Sequence, residues 1–282
     1  MGDTESEIEQ SSDTVISADG TQIEYLTVGD GPAVIVVPGA LSVAAGFARF
    51  AGALSTGFTV HTIQRRGRGG SGPQSEHYTI AEDRADVEAL QAKTGAALLV
   101  GHSYGGLVAL ESARGNSGFT KLALYEPGVS IAGSLPTEWM SAYEKYLAED
   151  KPFDAFVEFV RALGPDLVRK MPRWMFRSMM TVFMKAPEKE MVFSQLEQNL
   201  REHREIVRLD DTYSNYAEIT AATLLLDGDK DRHVFIDPNH ELLASTLPHC
   251  ERHTIAGVDH FGMDKGDPER VAGVVGEFFS RK

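Results

Sequence analysis

The chain has 282 residues, 42% of them hydrophobic, which is enough for one large α/β domain with an insertion or for two ordinary domains. Its formal net charge of −14 argues against nucleic acid or an anionic membrane as a partner, because both require basic patches. The single cysteine, Cys250, excludes an internal disulfide framework and fits a reducing, cytoplasmic compartment. No apolar run reaches the length of about 18 residues that a membrane span needs, and the acidic N-terminus differs from a secretory signal.

The first hundred residues predict strands that alternate with helices. Residues 1–14 are polar and acidic, and we expect them to be disordered. Three apolar or alternating runs predict strands: Ile23–Val28, Ala33–Val37 and Val60–Ile63. The run Thr79-Ile80-Ala81-Glu82 has the pattern of a capping box and predicts a helix to about Lys93, with Gly95 ending it.

The most specific pattern is Gly101-His102-Ser103-Tyr104-Gly105, a G-x-S-x-G motif between an apolar strand over 97–100 and a helix rich in small residues. A serine on so sharp a turn adopts strained backbone, and neighbouring glycines let the strand and the helix approach closely. The turn makes the Ser103 hydroxyl a candidate nucleophile. The Tyr104 N–H lies at a helix N-terminus, where partial positive charge stabilises an oxyanion.

The alternation resumes after the motif and is interrupted once. Strands are predicted at Lys121–Tyr125, Ala222–Leu226 and Glu251–Ile255, and helices begin at Asp237-Pro238 and Asp267-Pro268. The segment between Val129 and about Ala217 lacks a convincing strand and is rich in Met, Phe and Trp at helical spacings. The pattern predicts an α/β fold with a doubly wound, mostly parallel sheet and a helical insertion. We divide the chain into a disordered segment (1–14), a core (15–128 and 218–282) and a helical cap (129–217).

The chain resembles the α/β-hydrolase superfamily over nearly its whole length, in the branch that has a serine nucleophile and a helical cap. The motif at 101–106 carries this resemblance, together with Arg65–Gly72, which looks like the family's loop after the fourth strand. That loop lacks the Gly-Lys-Ser/Thr ending of a phosphate-binding loop. The family orders its catalytic triad as Ser, then Asp or Glu, then His.

The resemblance assigns the base to His260, in the loop after the last strand. It selects Asp231 as the acid, because the family places that residue three positions after a glycine, here Gly228. Asp229 is the runner-up, and Glu126 is a further alternative because some members keep their acid at the end of the preceding strand. We interpret His240, near the predicted acid, as a surface histidine.

The resemblance also implies an oxyanion hole. The run Val37-Pro38-Gly39-Ala40 occupies the place where the family usually has His-Gly-X, so the second donor beside Tyr104 is the Ala40 N–H. Pro38 departs from the usual histidine, which in the family supports this loop and takes no part in the reaction.

The expected activity is hydrolysis of a carboxylic ester, thioester or lactone of an apolar small molecule, without a cofactor or metal. Ser103 attacks the carbonyl, His260 takes its proton and Asp231 fixes the imidazole tautomer. The methionine- and aromatic-rich insertion predicts an apolar pocket. The same triad also supports carbon–carbon bond hydrolysis, lyase chemistry or cofactor-free perhydrolysis, and a ligand receptor without turnover is a third class. Oligomeric state is not predicted.

Overall fold

The computed structural model describes residues 10–230 and 236–281. These residues form one eight-stranded sheet in the order β1-β2-β4-β3-β5-β6-β7-β8, in which the β1–β2 and β2–β4 pairs are antiparallel and the others parallel. The strands are β1 (Ser11–Ile16), β2 (Gln22–Val28), β3 (Ala33–Val37), β4 (Thr59–Ile63), β5 (Leu98–His102), β6 (Lys121–Tyr125), β7 (Ala222–Gly228) and β8 (Cys250–Ile255). The predicted mostly parallel sheet is confirmed.

Helices cover both faces of the sheet and also form an insertion. The helices that follow core strands are α1 (Ala48–Leu54), α2 (Ile80–Thr94), α3 (Tyr104–Ala113), α10 (Ile236–Thr246) and α11 (Pro268–Ser280). Between β6 and β7 lie six more, which we call the inserted helices: α4 (Trp139–Ala148), α5 (Pro152–Leu163), α6 (Asp166–Lys170), α7 (Arg173–Phe183), α8 (Ala186–Phe193) and α9 (Leu196–Arg208). No helix in the described ranges combines the length and apolar character needed to cross a membrane.

The core is divided by the sheet into two apolar layers. Along β3, Ile35 and Val37 pack in the layer that contains α2, α3 and α10. Val34 and Val36 point the other way, into the layer that contains α1 and α11. Successive strand residues face opposite sides of a sheet, so a strand covered on both faces is apolar throughout. This explains the uninterrupted apolar run in the sequence.

The N-terminal strand corrects the predicted disorder of residues 1–14 over its last part. Residues 11–16 form β1 and pair with β2 from Ser11 opposite Thr27 to Ile16 opposite Gln22. Residues 1–9 lie outside the described part of the chain. The strand is polar because it lies at the sheet edge and is mostly exposed, so its composition resembled that of a disordered segment.

The start of α2 corrects the predicted capping box. The helix begins at Ile80 and ends before Gly95, which has a φ of +70°, as expected. The Thr79 side chain, however, makes no capping hydrogen bond. The Ile80 N–H instead donates to Glu205 Oε2 of α9 at 2.8 Å, so a distant carboxylate replaces the local cap.

The inserted helices have an apolar cluster of their own, which includes Trp139, Tyr143 and Phe156. Leu41, which follows the predicted oxyanion residue Ala40, packs against this cluster. The insertion therefore contacts the core at the carboxyl edge of β3, where the candidate site lies.

Candidate active site

Ser103 lies on a strained turn between β5 and α3. Its φ of +53° and ψ of −123° fall in a region that residues with a side chain seldom adopt. A Cβ on Gly101 would lie 2.5 Å from the Gly105 carbonyl oxygen, and a Cβ on Gly105 would overlap the Val37 carbonyl oxygen. Only glycine fits at these two positions, so the motif has the geometry that the sequence predicted.

His260 is oriented by a buried carboxylate. Its Nδ1 lies 2.7 Å from Glu126 Oε2, and the exposed fractions of the two side chains are 27% and 5%. The other carboxylate oxygen of Glu126 accepts a hydrogen bond of 3.0 Å from the Gly228 N–H at the end of β7. Glu126 follows β6 directly and has a φ of +43°. The sheet thus brings together one of the two alternative acids and the predicted base.

The pKa values of this pair favour a carboxylate facing an imidazole that is easily protonated. Burial raises the pKa of Glu126, but the hydrogen bond and charge of His260 outweigh burial and lower it to about 2. Burial lowers the pKa of His260, but the hydrogen bond and charge of Glu126 leave it above its ordinary value. Glu126 therefore stabilises the imidazolium that forms when His260 takes a proton.

The His260 loop is held beside Ser103 through His102, the residue before it. His102 Nε2 donates to the His260 carbonyl oxygen at 2.8 Å, and the two rings lie 4.9 Å apart between centroids. Burial lowers the pKa of His102 to about 3, so this ring is a neutral structural donor. Within the described residues the Ser103 hydroxyl makes no hydrogen bond, and such catalytic contacts often tighten only around substrate.

Three acids lie at the end of β7 and just after it, and their contacts differ. Asp231 lies outside the described residues, so its assignment as the acid stays a prediction. Asp229 accepts a hydrogen bond from the Gly257 N–H, which is a turn contact. Asp227 is buried and pairs with His240 and with Arg252. His240 is 1% exposed, so its interpretation as a surface histidine was wrong.

The two backbone N–H groups predicted to bind an oxyanion are those of Ala40 and Tyr104. Neither the Ala40 N–H nor the Tyr104 N–H donates a hydrogen bond within the described part of the chain. A Cβ on Gly39 would lie 3.1 Å from Ser103 Cβ, so the loop before Ala40 lies close to Ser103. Tyr104 is the first residue of α3, where the helix leaves its N–H groups unpaired.

The sequence did not predict that three neighbouring arginines would be buried and ion-paired. Arg65, Arg66 and Arg68 are each at most 3% exposed. Arg65 and Arg68 both bind Glu202 of α9, with nearest N–O distances of 2.9 and 2.6 Å. The sequence carries one signal: three arginines within four residues of an acidic chain. Glu202 lies far along the chain, so the pairing itself was not visible.

Comparison with known proteins now decides the family. A sequence model described as the alpha/beta hydrolase family matches residues 34–274. The chain belongs to this family. It is therefore a hydrolase by family, and its similarity to an alpha/beta hydrolase of known structure from Sphaerobacter thermophilus is extensive. That structure is 29% identical in sequence and has a TM-score of 0.80. The match covers 95% of this chain and 100% of that chain.

Two further proteins that are similar to this alpha/beta hydrolase have named activities. N-formylmaleamate deformylase of Pseudomonas putida is 37% identical over 124 residues, which is 42% of this chain and 46% of that protein. The chain thus aligns with less than half of the length of this relative. An esterase from Thermogutta terrifontis has a TM-score of 0.69 at 20% identity, with 95% of this chain and 98% of that chain covered, and shows the fold alone.

Proposed function

We propose that this alpha/beta hydrolase is a serine hydrolase that cleaves a carboxylic ester, thioester or lactone of an apolar small molecule. The observation that carries the proposal is the contact of 2.7 Å between His260 Nδ1 and Glu126 in a loop held beside Ser103. An imidazole fixed through Nδ1 presents Nε2 as the base, and a serine needs such a base at neutral pH.

The proposed reaction proceeds through an acyl-enzyme. Ser103 Oγ attacks the carbonyl carbon while its proton moves to His260 Nε2, and the Ala40 and Tyr104 N–H groups bind the oxyanion. The carbonyl re-forms as the alcohol or thiol leaves with the proton from His260. Water then attacks the acyl-enzyme and gives a proton to His260. His260 returns this proton to Ser103 Oγ as the bond between Ser103 and the acyl group breaks, which releases the acid and restores the free enzyme. No cofactor or metal takes part in these steps.

The acid is the part of the proposal that has two candidates. Glu126 is the described carboxylate in contact with His260, and we assign it to orient the ring. Asp231 is the acid that the family pattern selects. The activities of separate Glu126→Gln and Asp231→Asn variants assign the role.

An apolar substrate is supported by the residues that border the site. Leu41 joins the apolar cluster of the inserted helices. Ile206 of α9 reaches within 3.5 Å of where a Cβ on Gly128 would lie, and that position is 3.4 Å from the Tyr104 nitrogen. We therefore propose that the inserted helices act as a cap that supplies apolar contacts to the acyl or alcohol part.

The environment of the protein is also part of the proposal. A single cysteine and a net charge of −14 are consistent with a cytoplasmic enzyme whose partner is a small molecule and not nucleic acid.

The experiment that tests this function is hydrolysis of p-nitrophenyl esters of increasing acyl length by the parent, Ser103→Ala and His260→Ala. We expect both variants to lose turnover, because each lacks a reacting group. Ser112, which lies on α3 and donates to the Val108 carbonyl, gives the matched control Ser112→Ala, and exposed His253 gives His253→Ala. Hydrolysis that survives Ser103→Ala overturns the proposal.

Hydrolysis of a carbon–nitrogen bond is the second candidate. It is favoured by the 37% identity to N-formylmaleamate deformylase over 124 residues. The same attack on a formyl carbonyl would release an amine or amide that needs a proton from His260, whose pKa is raised. Formate release from N-formylmaleamate, compared with p-nitrophenyl ester turnover, separates the two candidates.

A further inference from the structure

Arg65 is a buried cation that the proposed reaction does not use. Its side chain is 1% exposed, and it lies in the loop after β4. Its Nε donates to the Pro38 carbonyl oxygen at 3.0 Å, and its Nη2 donates to the Gly39 carbonyl oxygen at 2.9 Å. The guanidinium thus holds the two residues that precede Ala40.

The bond to Gly39 constrains the direction of the Ala40 N–H. The Gly39 carbonyl and the Ala40 N–H belong to one planar peptide unit, in which C=O and N–H point in opposite directions. Fixing the oxygen on the guanidinium therefore directs the N–H away from it. The site that needs this N–H lies close by, because a Cβ on Gly39 would lie 3.1 Å from Ser103 Cβ.

The positive charge also strengthens the donor. A hydrogen bond from an ionised donor is about twice as strong as a neutral one and polarises the peptide group that accepts it. The same guanidinium lies over the ring of Tyr104, with Cζ 5.0 Å from the centroid. One cation therefore contacts the peptide unit that carries the Ala40 N–H and the side chain of Tyr104, whose N–H is the other proposed oxyanion donor.

The guanidinium is itself held from the opposite side by the inserted helices. Glu202 of α9, which is fully buried, accepts two hydrogen bonds from Arg65, at 2.9 and 3.1 Å. Asp83 of α2 lies 3.6 Å from Arg65 Nη1. A guanidinium can bind several acceptors in fixed directions. It therefore connects α9 to residues 37–40, which we call the oxyanion loop.

We propose that Arg65 is a positioning residue that sets the orientation of the Ala40 N–H, and that Glu202 holds Arg65 in place from the inserted helices. This inference rests on the proposed function, because it takes the Ala40 N–H as an oxyanion donor. A purely structural ion pair is the alternative, and it would affect stability without a selective effect on the transition state.

Arg66 provides a matched control for the test. It is also 1% exposed and ion-paired, to Asp86 at 2.7 Å and to Asp19 at 2.6 Å, but it makes no contact with the oxyanion loop among the described residues. Arg65→Lys and Arg66→Lys keep a buried positive charge and remove the same fork. Any general loss of stability or activity from replacing a buried arginine by lysine therefore appears in both variants.

The experiment measures kcat and KM for a p-nitrophenyl ester, the inhibition constant of phenylboronic acid and the melting temperature of both variants. The boronate adduct of Ser103 mimics the tetrahedral intermediate, so its affinity reports on the oxyanion hole. Since loss of one donor costs about 10²–10³ in rate, we expect misorientation in Arg65→Lys to lower kcat about 10- to 100-fold. KM should change less than about threefold, and the boronate should weaken with kcat.

Arg66→Lys should lower the melting temperature but keep kcat within about twofold of the parent. Equal kcat in the two lysine variants, or a change in KM alone for Arg65→Lys, overturns the inference. If Arg65→Lys does not fold, Glu202→Gln replaces it: an unchanged kcat in that variant overturns the inference, and a roughly threefold or larger loss at constant KM supports it. Activity surviving in Ser103→Ala would instead overturn the proposed function, so the two failures are distinct.

Discussion

The replacement Glu126→Gln separates an acid that serves His260 from one that only supports the fold. The carboxylate accepts from His260 at one oxygen, 2.7 Å away, and from the Gly228 N–H at the other, 3.0 Å away. Glutamine keeps the shape but has a single acceptor oxygen. Its amide nitrogen must therefore face either the Gly228 N–H or the imidazole, and in the second case it favours the wrong tautomer.

The expected loss is that of a hydrogen bond to a charged group in the transition state. Such bonds are worth about 1.5–3 kcal/mol, which corresponds to about a tenfold to 150-fold decrease in kcat/KM on the pH plateau. The pH profile should change as well. His260 acts as a base only when neutral, and Glu126 raises its pKa. Removing that charge lowers the pKa of His260, so the acidic limb of kcat/KM moves to lower pH.

The assay is kcat/KM for one p-nitrophenyl ester between about pH 5 and 9, for the parent, Glu126→Gln, Asp231→Asn and Asp229→Asn. Asp229 bonds the Gly257 N–H, so its variant controls for the loss of a nearby carboxylate. Full activity in Glu126→Gln with an unmoved acidic limb, and a loss confined to Asp231→Asn, would refute the assignment of Glu126.

Three further predictions concern the fold. Gly105→Ala should lower the free energy of unfolding by about 1–3 kcal/mol or more, because the added Cβ would overlap a backbone oxygen. Gly273→Ala, on an open helix surface, should raise it by up to about 1 kcal/mol. Denaturant titration of both variants measures these changes. Cys250 should react slowly with thiol reagents at pH 8 and faster through pH 10, because burial raises its pKa to about 11; a rate plateau near pH 9 would contradict this. Trp139→Ala, at a position only 4% exposed, should lower the free energy of unfolding by about 3–5 kcal/mol. Trp174→Ala, at a position 71% exposed, should change it by less than about 0.5 kcal/mol. Equal losses of stability in the two variants would show that the inserted helices pack differently.

The central site was predictable because its constraints are local. A serine between glycines at the end of an apolar strand requires the turn that Ser103 adopts, with a φ of +53°. His260 was identified from its place after the last strand, and the carboxyl ends of parallel strands meet at one edge of the sheet. The structure brings its ring next to His102 at that edge.

Contacts between distant elements were beyond the sequence patterns. The capping box predicted at Thr79 does not form, and Glu205 of α9 instead accepts from the Ile80 N–H at the start of the helix. A local pattern carries no information about α9. His240 was predicted to be exposed, but it is buried against Asp227 of the neighbouring β7. Their contact offsets the desolvation penalty of burying both side chains. The role of Glu126 depends on the backbone after β6, which turns its side chain toward His260.

The most direct test of the central claim is covalent labelling of the parent enzyme with a fluorophosphonate, followed by peptide mass spectrometry and residual esterase activity. A serine becomes a nucleophile at neutral pH only with an adjacent base, so the reagent distinguishes Ser103 from ordinary serines. The account predicts one label per chain, on Ser103, with esterase activity lost in proportion and labelling greatly slowed in His260→Ala. Labelling at another residue, or ester hydrolysis that persists after Ser103 is fully modified, would contradict it.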